Sequence, residues 1–261
     1  MNRGFSFLKK FRQVHLVIIS FSQMFNLFLI VFVIILSCTA SLAQFATGKL
    51  GIAVNAVYTT SAEIYLNPNS SNSEVRNNSF TLEDILNPGL DIRYRFTDEF
   101  ILGLNIEYVN KTANAQNLTA FIGNQVFVFE VEDGLSVIPI ELTAHYHFPF
   151  STEDFKFMMG GGLGYYIGEF VRKFQDVELE ITQRKFALGL HVSASMDYII
   201  IENLAARFEM KFRNPQYTVT SKYSKTEVNF KGNVIELPEN AFDTKVDIDG
   251  LTFVIGLVLN I

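Results

Sequence analysis

The feature that most constrains this chain is an alternation kept up over its whole second part. In "VIPIELTAHYHF", Ile138, Ile140, Leu142, Ala144, Tyr146 and Phe148 share one parity, and Glu141, Thr143, His145 and His147 share the other. Leu102, Leu104, Ile106 and Tyr108 oppose Gly103, Asn105 and Glu107 in the same way. Ala206, Phe208, Met210 and Phe212 oppose Arg207, Glu209, Lys211 and Arg213. A period of two means strands with unlike faces. Eight such segments can be read, at 49–58, 89–96, 100–110, 137–148, 155–168, 186–198, 204–212 and 250–261. Most have the length a tilted strand needs to cross a bilayer.

The connections alternate too. "TDE", "PFSTED" and "IIEN" are short, whereas the stretches around "SSNSEVRNNS", "KTANAQNLTAFIGNQ", "RKFQDVELEITQRK" and "KYSKTEVNFKGNVIELPENAFDTK" are long and polar. Up-and-down strands then place every long loop at one end and every short turn at the other. That asymmetry belongs to barrels with long outer loops and short periplasmic turns. The expected fold is all-β, an eight-stranded antiparallel up-and-down transmembrane β-barrel.

A soluble barrel with its apolar face inside would alternate equally well. "FKFMMGGGLGYYIGEF" decides between the two. Its parity puts Gly160, Gly162, Gly164 and Gly168 on one face and Phe157, Met159, Leu163, Tyr165 and Ile167 on the other. An eight-stranded interior is only just wide enough for side chains, so the bare face belongs inside and the large face toward hydrocarbon.

The first residues read differently. Arg3, Lys9, Lys10 and Arg12 precede a long apolar run that ends in small residues, Ser41 and Ala43. These are marks of a secretory signal, predicted over 1–43, with the barrel domain at 44–261. A retained transmembrane helix and a lipoprotein box at Cys38 are the competing readings, and Met24 is an alternative start. Cys38 is the single cysteine, so a chain cut after Ala43 carries no disulfide and no thiolate–zinc site. It also carries 17 bases against 27 acids, a balance that argues against nucleic acid as a partner.

The pattern resembles the small outer-membrane β-barrels of Gram-negative bacteria, similar to outer-membrane proteins A, W and X. The resemblance rests on "GGGLGYYIG", "IPIELTAHYHF" and the ending "DGLTFVIGLVLNI". It implies an outer-membrane location and contact with outer-membrane lipid and lipopolysaccharide. It also implies recognition by the assembly machinery through the C-terminal strand, where Gly256, Leu259 and Ile261 fill the signal positions. A monomer without cofactor is expected. The implied role is non-enzymatic, with long extracellular loops for surface interaction or envelope integrity. A narrow channel for small or apolar solutes is the alternative, and a lipid A-modifying enzyme comes third.

The inward parity collects acids at Asp91, Glu107, Glu141, Asp197 and Glu209, and bases at Lys49, Arg93, Arg95, Arg207, Lys211 and Arg213. Nearly balanced charges in a narrow interior predict a paired polar network, which His145 and His147 join. With Glu141 these histidines could instead bind a metal, though three groups on one straight strand close a site poorly. His191 and Ser193, two apart, have nucleophile-and-base spacing, yet their parity turns them away from lipid.

Overall fold

A computed structural model describes residues 49–122, 125–184, 186–230 and 232–261. The predicted signal segment, with Met24 and Cys38, lies outside the described residues. The strands are β1 (Leu50–Tyr65), β2 (Ser79–Arg95), β3 (Phe100–Glu107), β4 (Val109–Ile122), β5 (Gln125–His147), β6 (Phe155–Phe174) and β7 (Val177–Arg184). They continue with β8 (Ala187–Ile201), β9 (Leu204–Arg213), β10 (Gln216–Tyr223), β11 (Glu227–Phe230), β12 (Asn233–Glu236), β13 (Phe242–Asp247) and β14 (Leu251–Asn260). One short helix, α1 (Ser73–Arg76), lies between β1 and β2 and is capped by Asn72, whose side chain accepts from the Glu74 amide.

Eight strands close a ring in the order β1-β2-β3-β5-β6-β8-β9-β14, and β14 pairs back to β1 from Gly51↔Asn260 to Thr59↔Thr252. All pairings are antiparallel, and the three short turns sit at one end. Outward positions on this ring are large and apolar. Leu188 and Leu190 are each 72% exposed, while Gly189 and His191 between and beside them face inward. From Leu86 to Tyr94 the outer face of β2 carries no charge, a run that matches the ~9–11 residues of a tilted spanning strand. Tyr94, Tyr146 and Tyr198 lie at the short-turn edge of this apolar zone and Tyr58 and Tyr108 at the other, as interfacial aromatics do.

The long connections are mostly strand. β1, β2, β5 and β6 continue past the apolar zone, and β4, β7, β10 and β13 join them, β13 pairing β1 through Ile64↔Val246 and β10 pairing β7. The wall thus rises into a second tier whose order is β2-β1-β13-β10-β7-β6-β5-β4. The β2–β3 ladder ends at Gly89↔Glu107, where Pro88 lacks an amide hydrogen. Above it, β2 and β4 face each other without a ladder, bridged by Lys111 Nζ to the Asp84 carbonyl at 3.1 Å.

The tiers have unlike interiors. The membrane tier is polar inside. Above it Leu82, Ile85, Leu135, Tyr166, Phe170 and Val246 form a buried apolar cluster with their neighbours. Higher still, Phe129, Val131 and Phe174 pack with Val228 and Ile235 of the β11–β12 hairpin, and with Leu237 just after it. Parity in the eight segments anticipated a small or charged interior; above Glu141 the interior is mainly apolar, with the buried pair Asp133–Arg172 within it, because this part is a packed core rather than a lining.

Candidate functional site

The glycines of β6 make room for specific side chains. A Cβ on Gly160 would lie 2.5 Å from His145 Nδ1, and one on Gly103 would lie 2.9 Å from His145 Nε2. His145 is therefore held between two bare positions. A Cβ on Gly162 would meet the Leu142 carbonyl and His191 Cε1, and one on Gly164 would meet the Tyr166 ring at 2.5 Å. The run Gly160–Gly168 is a trough in the wall into which neighbouring strands lay their rings.

Below Tyr166 lies an ion-pair network with contributions from most of the ring. Arg93 of β2 binds Asp91 at 2.8 Å and also pairs with Glu209 of β9. Arg207 of β9 binds Asp91 at 2.5 Å and both oxygens of Asp197, of β8, at 2.7 Å. Higher up, Lys211 and Arg213 of β9 cross the lumen to Glu141 of β5 at 2.6 and 3.2 Å and to Glu107 of β3 at 3.4 and 2.9 Å. Tyr166 donates to Glu141 at 2.7 Å and Asn105 donates to Glu107 at 2.8 Å. Every one of these side chains is buried. A carboxylate with three or four donors is the arrangement that offsets the large cost of desolvating it.

Of the predicted interior residues, Asp91, Arg93, Glu107, Glu141, Asp197, Arg207, Glu209 and Lys211 meet in this network, as does Arg213. His145 is buried beside it, with Nδ1 unpartnered among the described residues. Three residues do not belong. Lys49 and Arg95 are exposed at the short-turn rim, where the strand ends reach solvent. His147 is half-buried there and its Nδ1 lies 3.3 Å from the Asp98 carbonyl. His191 Nε2 is 2.7 Å from Thr143 Oγ1, and Ser193 beside it is buried with its hydroxyl unpartnered. Both point into the barrel. Among the described residues no three His, Cys, Asp or Glu side chains are grouped to hold a metal.

Sequence reasoning missed Tyr166, although it shares the inward parity of Gly164 and Gly168. It also missed the pair Asp133–Arg172, which closes the second tier with two contacts of 2.7 and 2.6 Å and a further bond from Arg172 to Tyr223.

The upper rim carries the other candidate site. β5 outlasts β6. The ladder between them ends at Glu132↔Lys173, so residues 125–131 pair with β4 alone. Val126 and Val128 are 59% and 57% exposed on this free stretch. At its foot is a notch of about 400 Å³ lined by Phe129, Glu130, Glu132, Phe174, Gln175 and Phe230, among others. The four segments 59–86, 109–136, 168–186 and 214–249 hold 17 acids and 10 bases, so this end is net negative. Nearby, the hydrogen bond and charge of Lys225 hold the Asp176 carboxyl below its usual range.

No protein-family model matches the chain, and no curated protein matches it. Solved structures do. The chain is similar to the outer membrane protein OprG of Pseudomonas aeruginosa, with 15% identity, 82% of this chain and 96% of that chain covered, and a TM-score of 0.54. Neisserial surface protein A matches at 11% identity, 82% and 97% coverage and a TM-score of 0.43. The attachment invasion locus protein Ail of Yersinia pestis matches at 9% identity, 82% and 99% coverage and a TM-score of 0.43. The likeness to OprG is one of fold. Together with the uncharged outward belt, that fold is a membrane-spanning β-barrel of the outer-membrane type.

Proposed function

We propose that the protein is a non-enzymatic surface platform, a filled barrel that holds a rigid acidic tower outside the membrane for binding. The observation that carries this reading is the filling. Lys211 and Arg213 reach across the lumen to Glu107 and Glu141, and a buried apolar cluster lies above them. A solute on the axis would have to break buried charge pairs and then enter a packed core. Binding by the tower needs neither step. The inward aim of His191 and Ser193 speaks against lipid chemistry at that pair.

One observation favours a second reading, passage of an apolar solute sideways into the bilayer. The missing ladder between β2 and β4 lies beside Leu82, Ile85 and Val109 of the apolar cluster. Conductance and uptake through the refolded chain from residue 44, in planar bilayers and vesicles, separate the readings. A folded, silent and solute-tight barrel is expected. Steady channels that respond to Glu141→Gln would overturn the platform reading in favour of axial transport, and apolar uptake without conductance would favour the lateral route.

A further inference from the structure

We propose that the free edge of β5 at residues 125–131 is a docking site for an extended cationic polypeptide segment, which adds as a strand beside it. The inference rests on the platform reading and gives it a place and a partner chemistry.

A strand paired on one side leaves alternate amide and carbonyl groups unsatisfied on the other, which is a template for a further strand. Among the described residues, the one irregularity here lies on β4, where the register shifts between Ala115 and Leu118 opposite Glu130. Residues 125–131 read "QVFVFEV", with no proline, no glycine and no base. The sequence is strongly β-forming on both faces. No backbone bond joins it to any element but β4 among the described residues. The edge is long enough to hold about 20 Å of incoming strand.

Charge selects the occupant. A second copy of this chain would bring one acidic tower against another. A basic segment is attracted by the whole rim, where acids outnumber bases 17 to 10. Locally, Glu130 is exposed and has no ion-pair partner among the described residues. The notch at the foot of the edge is lined by the rings of Phe129, Phe174 and Phe230, by Glu130 and Glu132, and by one base, Lys173, so acids outnumber bases two to one there. A lysine or arginine side chain fits such a place, its stem on the rings and its head at the acids. Glu132 also accepts from Thr112 at 2.7 Å and faces Lys173 in the ladder, so Glu130 is the freer acid. The partner strand would alternate basic and β-branched residues, the latter against Val126 and Val128.

The test uses the full barrel in detergent micelles and a labelled seven-residue peptide of alternating lysine and valine, read by fluorescence anisotropy. Two further peptides carry N-methyl groups on odd or on even backbone nitrogens. Saturable binding is expected, lost for one methylated peptide and kept for the other, because a strand uses one edge. Glu130→Lys, and separately Val126→Lys with Val128→Lys, should weaken it at least tenfold. These positions are exposed, and retained heat-modifiability on gels reports that each variant is folded. An alternating glutamate–valine peptide should not bind. Absence of binding overturns the proposal. Binding that ignores N-methylation also overturns it, yet leaves the acidic platform standing; only conductance or uptake through the barrel would remove the platform itself.

Discussion

The ring of Tyr217 occupies the space that a side chain on Gly168 would need: the three atoms nearest a Cβ built there all belong to that ring. Tyr217 is on β10 and Gly168 on β6, so one bare residue lets the second tier close over the first. Gly168→Ala is expected to destabilise the barrel by ~1–3 kcal/mol through overpacking. In a Tyr217→Ala background, itself costly because it leaves a cavity, the same change should cost little or nothing. Urea unfolding in lipid vesicles measures the cycle. Equal costs in both backgrounds would mean that the strand, rather than the ring, needs the glycine.

The charge network predicts a different kind of non-additivity. Glu141 accepts from Lys211, Arg213 and Tyr166, and also from Asn105 at 3.3 Å. Glu141→Leu leaves two buried cations, Lys211 and Arg213, sharing Glu107 alone and should cost about 3–5 kcal/mol. Replacing Glu107, Glu141, Lys211 and Arg213 together by apolar residues of similar size should cost less than the single change, since no charge is left unpaired. The same vesicle titration distinguishes the two. A fourfold variant worse than Glu141→Leu would mean that the network is needed to specify the fold.

Sequence made the membrane tier legible because its environments differ on its two faces. Hydrocarbon outside demands Leu188 and Leu190, and a narrow polar interior demands Gly189 and His191, so parity alone assigns each side. Above the membrane that contrast fades. Val126 and Phe127 are both exposed apolar residues on opposite faces of β5, and no alternation distinguishes the inside there from the outside. At Asp84 the backbone takes φ +54° without a change of register, and Leu82 and Ile85 on either side of it are both buried, which breaks parity outright. Lys49 and Arg95 share the inward parity of their strands, but parity carries no information on where a strand ends, and both fall at the rim. Which charges pair was never in the pattern: Arg93 reaches Glu209, more than a hundred residues away, because the ring closes.

Titration of the second tier should be visible at Asp247. This carboxylate is 8% exposed, takes one bond from Gln216 and leaves Oδ1 unpartnered among the described residues. Burial pushes its pKa up from the usual carboxylate range. The folded state then holds the proton more firmly than the unfolded chain. Stability from this group is present at low pH, falls as pH rises from the ordinary carboxylate value through the raised one, and stays lower above it. Asp247→Asn should therefore stabilise the upper barrel at pH 7 and lose its advantage near pH 3. Melting of wild type and variant across that range checks it. A variant less stable at pH 7 would mean that Lys245, 4.0 Å away, outweighs burial.

The β11–β12 hairpin can be removed without cutting the wall. Its base is closed by the Leu237 amide donating to the Thr226 carbonyl at 2.8 Å, so the two ends of an excision of 227–236 already lie together. The strands below it, β10 and β13, pair from Gln216↔Asp247 to Ser221↔Phe242 and do not depend on it. What depends on it is the cover over Phe129, Val131 and Phe174, supplied by Val228 and Ile235, which are 4% and 0% exposed. The excised protein is expected to stay heat-modifiable on gels and to bind an apolar dye several-fold more strongly than wild type. Adding Phe129→Ser should bring the dye signal back down, because the newly bared patch is then interrupted at its centre. Unchanged dye binding in the excised protein would mean that the tower closes over its core without the hairpin, and the hairpin would then be free to meet a partner of its own.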